Sequence, residues 1–364
     1  MINEKKILIC PLDWGLGHAT RCVPIIYMLQ DSGAKVFIAG GGRALDFLKK
    51  EFKDLHFIDF PGYNITYPQK GSMIRHMIMK APQIFTGIRK EHRQLEKIVQ
   101  DYGIDLVISD NRFGCWSRKT FSVYITHQLM IKVPKSISFF EYFLHLLHLC
   151  FIRKFDRCWV PDLPDKINLS GDLSHKYKLP RNTRFIGPLT RFSLDNPNID
   201  PIDEHENKIL AIISGPEPQR SIFQGKVLQQ LQLERTGGII LAGMTEKQDI
   251  DEPSPDIRIL SHADTREIQN MMANARLILC RPGYSTLMDL QVSGKKAVLV
   301  PTPGQTEQQY LSEWMEQQGY YVRLEQDQLG KAPLPSDNNL PTPPAILPEM
   351  RLLSSAIHDI LNKK

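Results

Sequence analysis

The chain has 364 residues, of which 42% are hydrophobic and 23% are charged, and its formal net charge at pH 7 is +5. These values predict a globular protein of about two domains. Its six cysteines form no CxxC pair and no regular framework, which argues against a disulfide scaffold or a zinc site and favours buried thiols in a reducing compartment.

Neither a signal peptide nor a membrane span is predicted. The opening sequence, MINEKKILICPLDWGLG, contains too short an apolar run for a signal peptide. The longest apolar stretch, residues 137–152, is interrupted by Glu141, His145 and His148 and is too short and too polar for a transmembrane helix. We therefore expect a cytoplasmic protein.

Charge is unevenly distributed along the chain. Residues 1–190 hold 28 Lys and Arg against 17 Asp and Glu, a net charge of +11, whereas the remainder holds 17 against 23, a net charge of −6. A basic first half predicts contact with an anionic partner, although a solvated surface would give the same counts.

The first predicted strand, Lys6–Pro11, runs into a glycine-containing turn and then a helix that extends to Gln30. Gly15 and Gly17 allow the backbone to turn sharply and to approach a ligand. His18 lies near the predicted helix N-terminus, at the carboxyl end of a strand, where open α/β sheets bind ligands. NAD binding is disfavoured, because the third glycine of the dinucleotide fingerprint and an acidic residue after the next strand are both absent.

A helix and a short strand are predicted within residues 44–58, followed by a helical stretch from Met73 to Gln100 that breaks near Pro82. Between Lys70 and Lys97, seven basic and two acidic residues accompany the apolar positions. Such a pattern fits either a core-facing amphipathic helix or an interfacial helix on anionic lipid, to which the aromatic-rich stretch 139–151 would add a second apolar contact.

Two later strands end in polar residues, as strands that border a cleft do. Residues 106–109 are followed by Asp110-Asn111-Arg112, which is not a DxD metal motif because its third position is basic. Residues 122–126 are followed by His127-Gln128. His127 fits a cleft residue and a hydrogen-bonded core histidine about equally well.

The second half of the chain repeats the opening pattern of the first half. A segment rich in Pro, Asn and Asp over 190–206 predicts a linker. Lys208-Ile209-Leu210 then repeats Lys6-Ile7-Leu8, and the strand again runs into a glycine turn, at Ser214-Gly215. This repetition predicts an α/β fold with two Rossmann-like domains facing across a cleft. We expect domains over 1–190 and 208–345, a linker over 191–207, and a C-terminal helix within 346–364 that returns to the first domain.

The most informative stretch covers residues 277–310 and reads as strand, tight turn, helix, strand, loop, helix. Ser285 or Thr286 is expected to cap the first of these helices, and Gly294 to end it. A strand followed by a glycine turn and a helix N-terminus is how α/β folds hold phosphate groups. Asp289 lies about one turn into the helix, where a carboxylate can reach ribose hydroxyls.

These elements resemble the donor-binding motif of glycosyltransferase family 28, which has an arginine, a small-residue turn, an acidic residue, a proline loop and a Gln-Gln pair. The corresponding residues are Arg281, Pro282-Gly283, Asp289, Pro301 and Gln308-Gln309. The chain has Asp where the family usually has Glu. The first glycine loop and His127-Gln128 also resemble family segments, although the fuller glycine run of the family is missing here.

The resemblance implies the GT-B architecture and an inverting, metal-independent hexosyltransferase. The donor would be a UDP-sugar, with UDP-N-acetylglucosamine as the first candidate, and the acceptor a lipid-linked or glycan hydroxyl of the cell envelope. The family's lipid-diphosphate acceptors favour a cytoplasmic enzyme that docks peripherally on an anionic membrane surface. No cofactor, metal or nucleic-acid partner is expected.

Residue roles follow from the same resemblance. The expected donor-binding residues are Ser214, Gly215, Ser261, His262, Arg281, Gly283, Ser285, Asp289, Gln308 and Gln309. The expected acceptor-side residues are Gly15, Gly17, Asp110 and His127. His18 is expected to be the general base or an acceptor-orienting group, and an ordinary imidazole pKa of about 6.5 suits proton abstraction near neutral pH. Asp13 is the rival base.

Two other functions remain open at this point. A nucleotide-sugar 2-epimerase also has two Rossmann-like halves, but the spacing of the arginine, the acidic residue and the Gln-Gln pair speaks against it. A non-catalytic nucleotide-sugar-binding protein is also compatible, because the match in the first glycine loop is incomplete. Turnover of a UDP-sugar would separate these functions.

Overall fold

The computed structural model describes residues 4–62, 73–192, 209–234, 237–244, 250–344 and 350–363. The chain divides into two compact units: Met1–Thr190 together with Pro348–Lys364, and Arg191–Leu347. Apart from its first two residues, the predicted linker over 191–207 lies outside the described residues.

The first unit is built on a seven-stranded sheet with the strand order β3-β2-β1-β4-β5-β6-β7, in which all neighbouring strands are parallel. Its elements in chain order are β1 (Lys6–Pro11), α1 (Leu16–Asp31), β2 (Lys35–Gly40), α2 (Gly42–Glu51), β3 (His56–Asp59), α3 (Met73–Tyr102), β4 (Leu106–Asp110), β5 (Phe121–Ile125), a 3-10 helix (Lys135–Phe140), α4 (Glu141–Ile152), β6 (Arg157–Val160), α5 (Asp172–His175) and β7 (Thr183–Phe185). The central strands are almost wholly buried, as expected for a parallel sheet covered on both faces.

The second unit repeats this plan with the strand order β10-β11-β9-β8-β12-β13-β14. All neighbouring strands are parallel except β10, which pairs antiparallel with β11. Its elements are β8 (Ile209–Ile212), α6 (Gln219–Glu234), β9 (Gly238–Leu241), β10 (Ile250–Ser254), β11 (Ile257–Leu260), α7 (Thr265–Asn274), β12 (Leu277–Cys280), α8 (Tyr284–Ser293), β13 (Ala297–Leu299), α9 (Thr306–Gln317), β14 (Val322–Arg323) and a 3-10 helix (Asp337–Asn339).

The last helix, α10 (Met350–Leu361), is part of the first unit. It packs against α1 and buries Leu353, Ala356, Ile357 and Ile360, which recur at the three- and four-residue spacing of one helical face.

Each sheet reverses its strand order beside its first strand. β1 pairs with β2 on one side and with β4 on the other, and β8 pairs in the same way with β9 and β12. A ligand crevice opens outside the carboxyl ends of the strands at such a switch point. The predicted α/β class with two Rossmann-like sheets is therefore confirmed, and each unit has one switch point, β1/β4 in the first and β8/β12 in the second.

Two local predictions are wrong. α3 does not break near Pro82 but runs as one helix of 30 residues. Its second half buries Ile88, Leu95 and Val99 against the first sheet, and this packing outweighs the single backbone hydrogen bond that Pro82 removes. Neither Ser285 nor Thr286 caps α8, because the backbone is extended at Gly283 and the helix begins at the next residue.

Gly294 ends α8 as predicted, in the left-handed conformation with φ 61°. The short edge strands β10 and β14 were not predicted from the sequence.

Candidate functional site

The switch point of the first unit brings together two residues that lie 92 positions apart. His18 is in the first turn of α1, and Asp110 is the last residue of β4, paired in register with Pro11 of β1. The Nδ1 atom of His18 lies 3.1 Å from Oδ1 of Asp110. Asp110 is fully buried, whereas the His18 side chain is 19% exposed, so this pair joins the interior to the surface.

Arg21, one turn after His18 on α1, holds the same carboxylate. Its Nε donates to Oδ2 of Asp110 at 2.6 Å, and its Nη2 donates to Oδ1. Nη2 also lies 2.9 Å from Nδ1 of His18, and Nη1 lies 3.2 Å from Nδ1 of His127. A single buried guanidinium therefore contacts the carboxylate and both histidines.

The turn after β4 sends two nearby charged residues, Asp110 and Arg112, in opposite directions. Asn111, which lies between them, adopts the left-handed conformation with φ 60°, which asparagine tolerates better than most residues. Asp110 faces α1, while Arg112 is buried against α3, where its Nε donates to Glu91 at 2.9 Å. The carboxylate of Asp110 therefore lies in the site, whereas the guanidinium of Arg112 does not.

The electrostatics of Asp110 are dominated by two opposing effects. Burial alone would raise the pKa of Asp110, but the Arg21 guanidinium and His18 more than offset this and hold that pKa well below its usual range. Asp110 is therefore a carboxylate at neutral pH.

The other first-unit residues predicted from the sequence lie in the same loop but make different contacts. Asp13 accepts a hydrogen bond from the backbone N–H of Gly62 at 2.9 Å. Gly15 is the N-cap of α1, and Gly17 lies in its first turn, where its carbonyl accepts from Thr20 at 3.1 Å. His18, Asp110 and His127 converge through Arg21, whereas the described contact of Asp13 ties it to a neighbouring loop.

The switch point of the second unit consists of two glycine turns. Ser214-Gly215 follows β8, and Gly283 follows β12, and these two strands are paired in register. Gly215 has a φ of 108°, a conformation that side chains with a Cβ rarely adopt, and nothing lies within 4 Å of where its Cβ would be. Each turn leads into a helix N-terminus, that of α6 or α8, which is the position where α/β folds hold anions.

Arg281, at the end of β12, is fully buried. Its Nη1 donates to the carbonyls of Val300 and Pro301, both at 3.0 Å, its Nη2 donates to Gln326, and its guanidinium lies 3.9 Å over the Phe223 ring. Burial lowers the pKa of Arg281 to about 9. In this arrangement Arg281 ties together the loops that follow β12 and β13.

The remaining predicted donor residues follow the carboxyl ends of neighbouring strands. Asp289 and Ser285 are half-buried on α8. Gln308 is buried on α9, and its Oε1 accepts from the backbone N–H of Thr302 at 2.9 Å, which anchors the proline loop after β13, while Gln309 is half-buried. Ser261 and His262 follow β11, two strands away from β8.

Sequence reasoning missed Arg21 and Gln326. Arg21 lies in a part of α1 that is buried on nearly all sides, among Ala19, Cys22, Ile25 and Ile26, and a charged residue in such apolar surroundings signals a buried partner. No comparable signal marks Gln326, which lies in the loop after β14 and meets Arg281 only in the folded chain.

Within the described ranges, no cluster of three or more His, Cys, Asp and Glu side chains is arranged to hold a metal ion. Over the same part of the chain, no helix combines the length and the apolar character needed to cross a bilayer.

Comparison with sequence families identifies glycosyltransferase segments in both halves of the chain. Residues 5–133 match Glycosyl transferase family 1, and residues 229–336 match the Glycosyltransferase family 28 C-terminal domain. The second match contains the stretch 277–310, so the resemblance to family 28 is confirmed there.

Two similar proteins come from two strains of Nitratidesulfovibrio vulgaris, DP4 and Hildenborough. Each is described as a UDP-N-acetylglucosamine–N-acetylmuramyl-(pentapeptide) pyrophosphoryl-undecaprenol N-acetylglucosamine transferase. Each is 28% identical to this chain over 145 residues, which are 38% of this chain. The match spans 39% of the length of those transferases, well under half.

Solved structures share the fold over nearly the whole chain. The kitacinnamycin glycotransferase superposes with a TM-score of 0.61 at 14% identity, covering 99% of this chain and 95% of that one. The calicheamicin glycosyltransferase gives 0.58 at 14% identity, with coverages of 100% and 91%. A spinosyn rhamnosyltransferase complexed with thymidine diphosphate gives 0.57 at 10% identity, with coverages of 99% and 92%. The fold is therefore GT-B.

Proposed function

We propose that the protein is an inverting, metal-independent glycosyltransferase that moves a hexose from a UDP-sugar to an acceptor hydroxyl. The observation that carries the proposal is the carboxyl edge of the second sheet. There, the neighbouring strands β8 and β12 are each followed by a glycine turn and a helix N-terminus, at the point where the strand order reverses. This is the arrangement that α/β folds use for phosphate groups.

The second unit would bind the donor. Backbone N–H groups at Ser214-Gly215 and at the start of α8 would hold the diphosphate, and the dipoles of α6 and α8 would stabilise the charge that develops as UDP leaves. Asp289 would accept hydrogen bonds from the ribose. Gln308 and Gln309 would face the sugar, and Ser261-His262 the base.

Arg281 would act in donor binding through the loops it holds, since its described contacts are to backbone carbonyls, to Gln326 and to the Phe223 ring. Its guanidinium fixes the loop that follows β13. This loop leads into α9, which carries Gln308 and Gln309.

The first unit would activate the acceptor. The Nε2 atom of His18 would accept the proton of the acceptor hydroxyl while that oxygen attacks C1 of the sugar and the bond from C1 to the diphosphate oxygen breaks, with inversion at C1. The 3.1 Å contact between His18 and Asp110 supports this role, because a carboxylate at Nδ1 orients a general base. Asp13 is the rival base, but its described hydrogen bond to Gly62 occupies one carboxylate oxygen.

N-acetylglucosamine is the first candidate for the sugar, because the similar Nitratidesulfovibrio proteins are named as UDP-N-acetylglucosamine-dependent transferases. Thymidine diphosphate is the competing nucleotide, since it accompanies a structure of the same fold. A lipid-linked or glycan hydroxyl is the proposed acceptor.

The test is a panel of UDP-, GDP- and TDP-sugars, read first by thermal shift and then by release of the nucleoside diphosphate in the presence of lipid-linked and glycan acceptors. Stabilisation by UDP-N-acetylglucosamine together with acceptor-dependent UDP release is expected. Stabilisation without UDP release for any acceptor would favour a binding protein, and conversion of the free UDP-sugar to its 2-epimer would favour an epimerase.

We also propose that the first unit docks on an anionic membrane surface. The apolar part of this surface is the aromatic patch, defined by the exposed residues Phe139, Phe140, Tyr142, Phe143, Leu146 and Leu147 of the 3-10 helix and α4. Phe139 is 73% exposed and Phe143 is 62% exposed, which is unusual for a soluble surface. Phe85 of α3 stacks on Phe151 of α4 at 6.0 Å and so brings the basic helix beside the patch.

The second half of α3 contributes charge to this surface. Arg89, Lys90, Arg93 and Lys97 are exposed, whereas the apolar residues Ile88, Leu95 and Val99 face the core. Lys70 lies outside the described residues, and the side chain of Arg75 does also. Each basic residue near an anionic surface contributes on the order of 1 kcal/mol.

Co-sedimentation with anionic and neutral vesicles at low and high salt tests the docking. We expect binding that requires anionic lipid and falls with salt. This binding should be lost when Phe139 and Phe143 become Ser, or when Arg89, Lys90 and Arg93 become Gln. A matched control replaces the exposed Ile222 and Leu233 of α6 with Ser and should bind as the wild type does. Equal, negligible binding to both vesicle types would contradict the docking.

A further inference from the structure

Two histidines of the first unit face the same guanidinium, and this contact limits the tautomers that each ring can adopt. A guanidinium only donates hydrogen bonds, so a ring nitrogen that contacts it must be an unprotonated acceptor. Nη1 of Arg21 lies 3.2 Å from Nδ1 of His127. In the neutral ring, the proton of His127 is then on Nε2, which makes that atom a hydrogen-bond donor.

His18 is subject to two opposite demands at one atom. Its Nδ1 lies 2.9 Å from Nη2 of Arg21, which can only donate, and 3.1 Å from Oδ1 of Asp110, which as a carboxylate can only accept. A proton on Nδ1 satisfies the carboxylate and leaves Nε2 as a base, whereas an unprotonated Nδ1 satisfies Arg21. His18 can therefore exchange between the two neutral tautomers.

Arg21 is itself held in place by Asp110. Both oxygens of that carboxylate are engaged by the guanidinium, at Nε and Nη2. The Nη1 atom that faces His127 therefore belongs to a guanidinium whose orientation is fixed.

We propose that Arg21 is a positioning residue that sets the tautomer of His127 and so fixes this ring as a hydrogen-bond donor through Nε2. His127 would then orient an acceptor oxygen. That role rests on the proposed transfer reaction, whereas the tautomer of the ring does not.

The other charged and titratable groups around this cluster do not provide the same control. Cys22 of α1 contacts Oδ2 of Asp110 at 3.6 Å, and burial, followed by the nearby carboxylate, keeps the pKa of this thiol well above its ordinary value. Cys10 of β1 also raises the pKa of the Cys22 thiol. Arg112 is paired with Glu91 on the α3 side. Among the described contacts, Arg21 is the cation that faces both rings.

The direct test is the ring 15N NMR spectrum of the intact protein at pH 7 without any sugar donor. We expect His127 to show an unprotonated Nδ1 and a protonated Nε2. His145 is an internal control with the opposite tautomer, because its Nδ1 lies 2.8 Å from the carbonyl of Leu129, which can only accept. A protonated Nδ1 on His127, or the same tautomer on His127 and His145, would overturn the proposal.

Two variants test the control of His127. In Arg21→Gln, the donor-only group is replaced by an amide that can also accept, so the ring spectrum of His127 should show an added Nδ1-protonated form. In Arg21→Lys, whose ammonium can only donate, His127 should keep the wild-type tautomer. A folded Arg21→Gln with an unchanged His127 ring would overturn the proposal.

The readouts separate this inference from the proposed function. If no sugar donor is turned over, the transferase fails while the ring spectra still decide the role of Arg21. If Arg21→Gln does not fold, the wild-type tautomers and the Arg21→Lys spectrum still decide it.

Discussion

The two switch points occupy equivalent positions in two sheets of the same plan, yet their chemistry differs. At β1/β4 the first unit places Arg21, Asp110 and two histidines, so that protons and charges are held by side chains. At β8/β12 the second unit places the Ser214-Gly215 and Gly283 turns before two helix N-termini, so that backbone N–H groups are presented instead.

This difference fits the division of roles that we propose for the two units. A site that moves a proton needs a titratable group with a defined partner, whereas a site that holds a diphosphate is served by amides whose charge does not vary with pH. The buried guanidinium of each unit fits this division. Arg21 acts on ionisable side chains, while Arg281 acts on backbone carbonyls.

The largest expected effect is on turnover at the first switch point. His18→Ala should lower turnover on the order of 10²–10⁴-fold, because it removes the proposed general base, while the affinity for UDP changes little. Initial rates and UDP titration measure the two quantities. Asp13→Ala is the comparison variant, and loss of turnover there with retention in His18→Ala would reverse the two roles.

Stability provides the second way to test the comparison. Asp110→Asn leaves the buried Arg21 cation without its carboxylate and should lower the free energy of unfolding by about 3–5 kcal/mol. The matched change in the second unit is Glu217→Ala, which removes an exposed partner of Arg220 and should cost about 0–1 kcal/mol. Denaturant unfolding of both variants measures the difference, and equal losses would contradict the contrast between a buried and an exposed ion pair.

The stability of the first unit should also depend on pH. Burial, followed by the neighbouring His145, lowers the pKa of His148 on α4 to about 4. The unfolded chain gains this proton near pH 6.5, so the stability contributed by the neutral ring is complete above about pH 6.5 and is lost as the pH falls toward 4, by roughly 3 kcal/mol in all.

His148→Phe should flatten this part of the stability profile, since a phenylalanine would fit among the neighbouring rings of Phe113 and Tyr124 and carries no titrating group. The control His358→Gln, at an exposed position of α10, should keep the wild-type dependence. Unfolding measured between pH 4 and pH 7 decides the question, and an unchanged slope in His148→Phe would rule out His148 as its source.

The smallest expected effect is on donor affinity. Asp289→Ala should weaken UDP binding by about 1–3 kcal/mol through the loss of hydrogen bonds to a charged group. Asp256→Ala is the control, because Asp256 is exposed just before β11, at the opposite edge of the sheet from the glycine turns. Titration calorimetry compares the UDP affinities of the two variants. Wild-type affinity in Asp289→Ala would contradict the proposal that Asp289 binds the ribose.

The sequence was sufficient for features that depend on local pattern. Each apolar run bounded by glycine or proline, such as Lys6–Pro11 and Leu277–Cys280, became a buried strand of a parallel sheet. Polar residues at strand ends, such as Asp110, lie at the carboxyl edge, because parallel strands all end there.

Features that depend on long-range contacts were not accessible in the same way. The sequence cannot show that Arg21 meets residues 89 and 106 positions later, because helix α1 supplies only its own periodicity. Nor can it show that Arg281 turns inward to Val300 and Pro301, since the same sequence pattern fits an arginine that is buried and one that faces a ligand.

Hydrogen exchange with and without saturating UDP tests the central claim most directly, because it reads backbone N–H groups in both units of the wild-type protein at once. The account predicts protection of peptides that span residues 213–222 and 281–290, around the turns that follow β8 and β12. It predicts no comparable change over residues 12–21, around His18. Protection confined to residues 12–21, or none anywhere at saturating UDP, would contradict the assignment of the donor to the second unit.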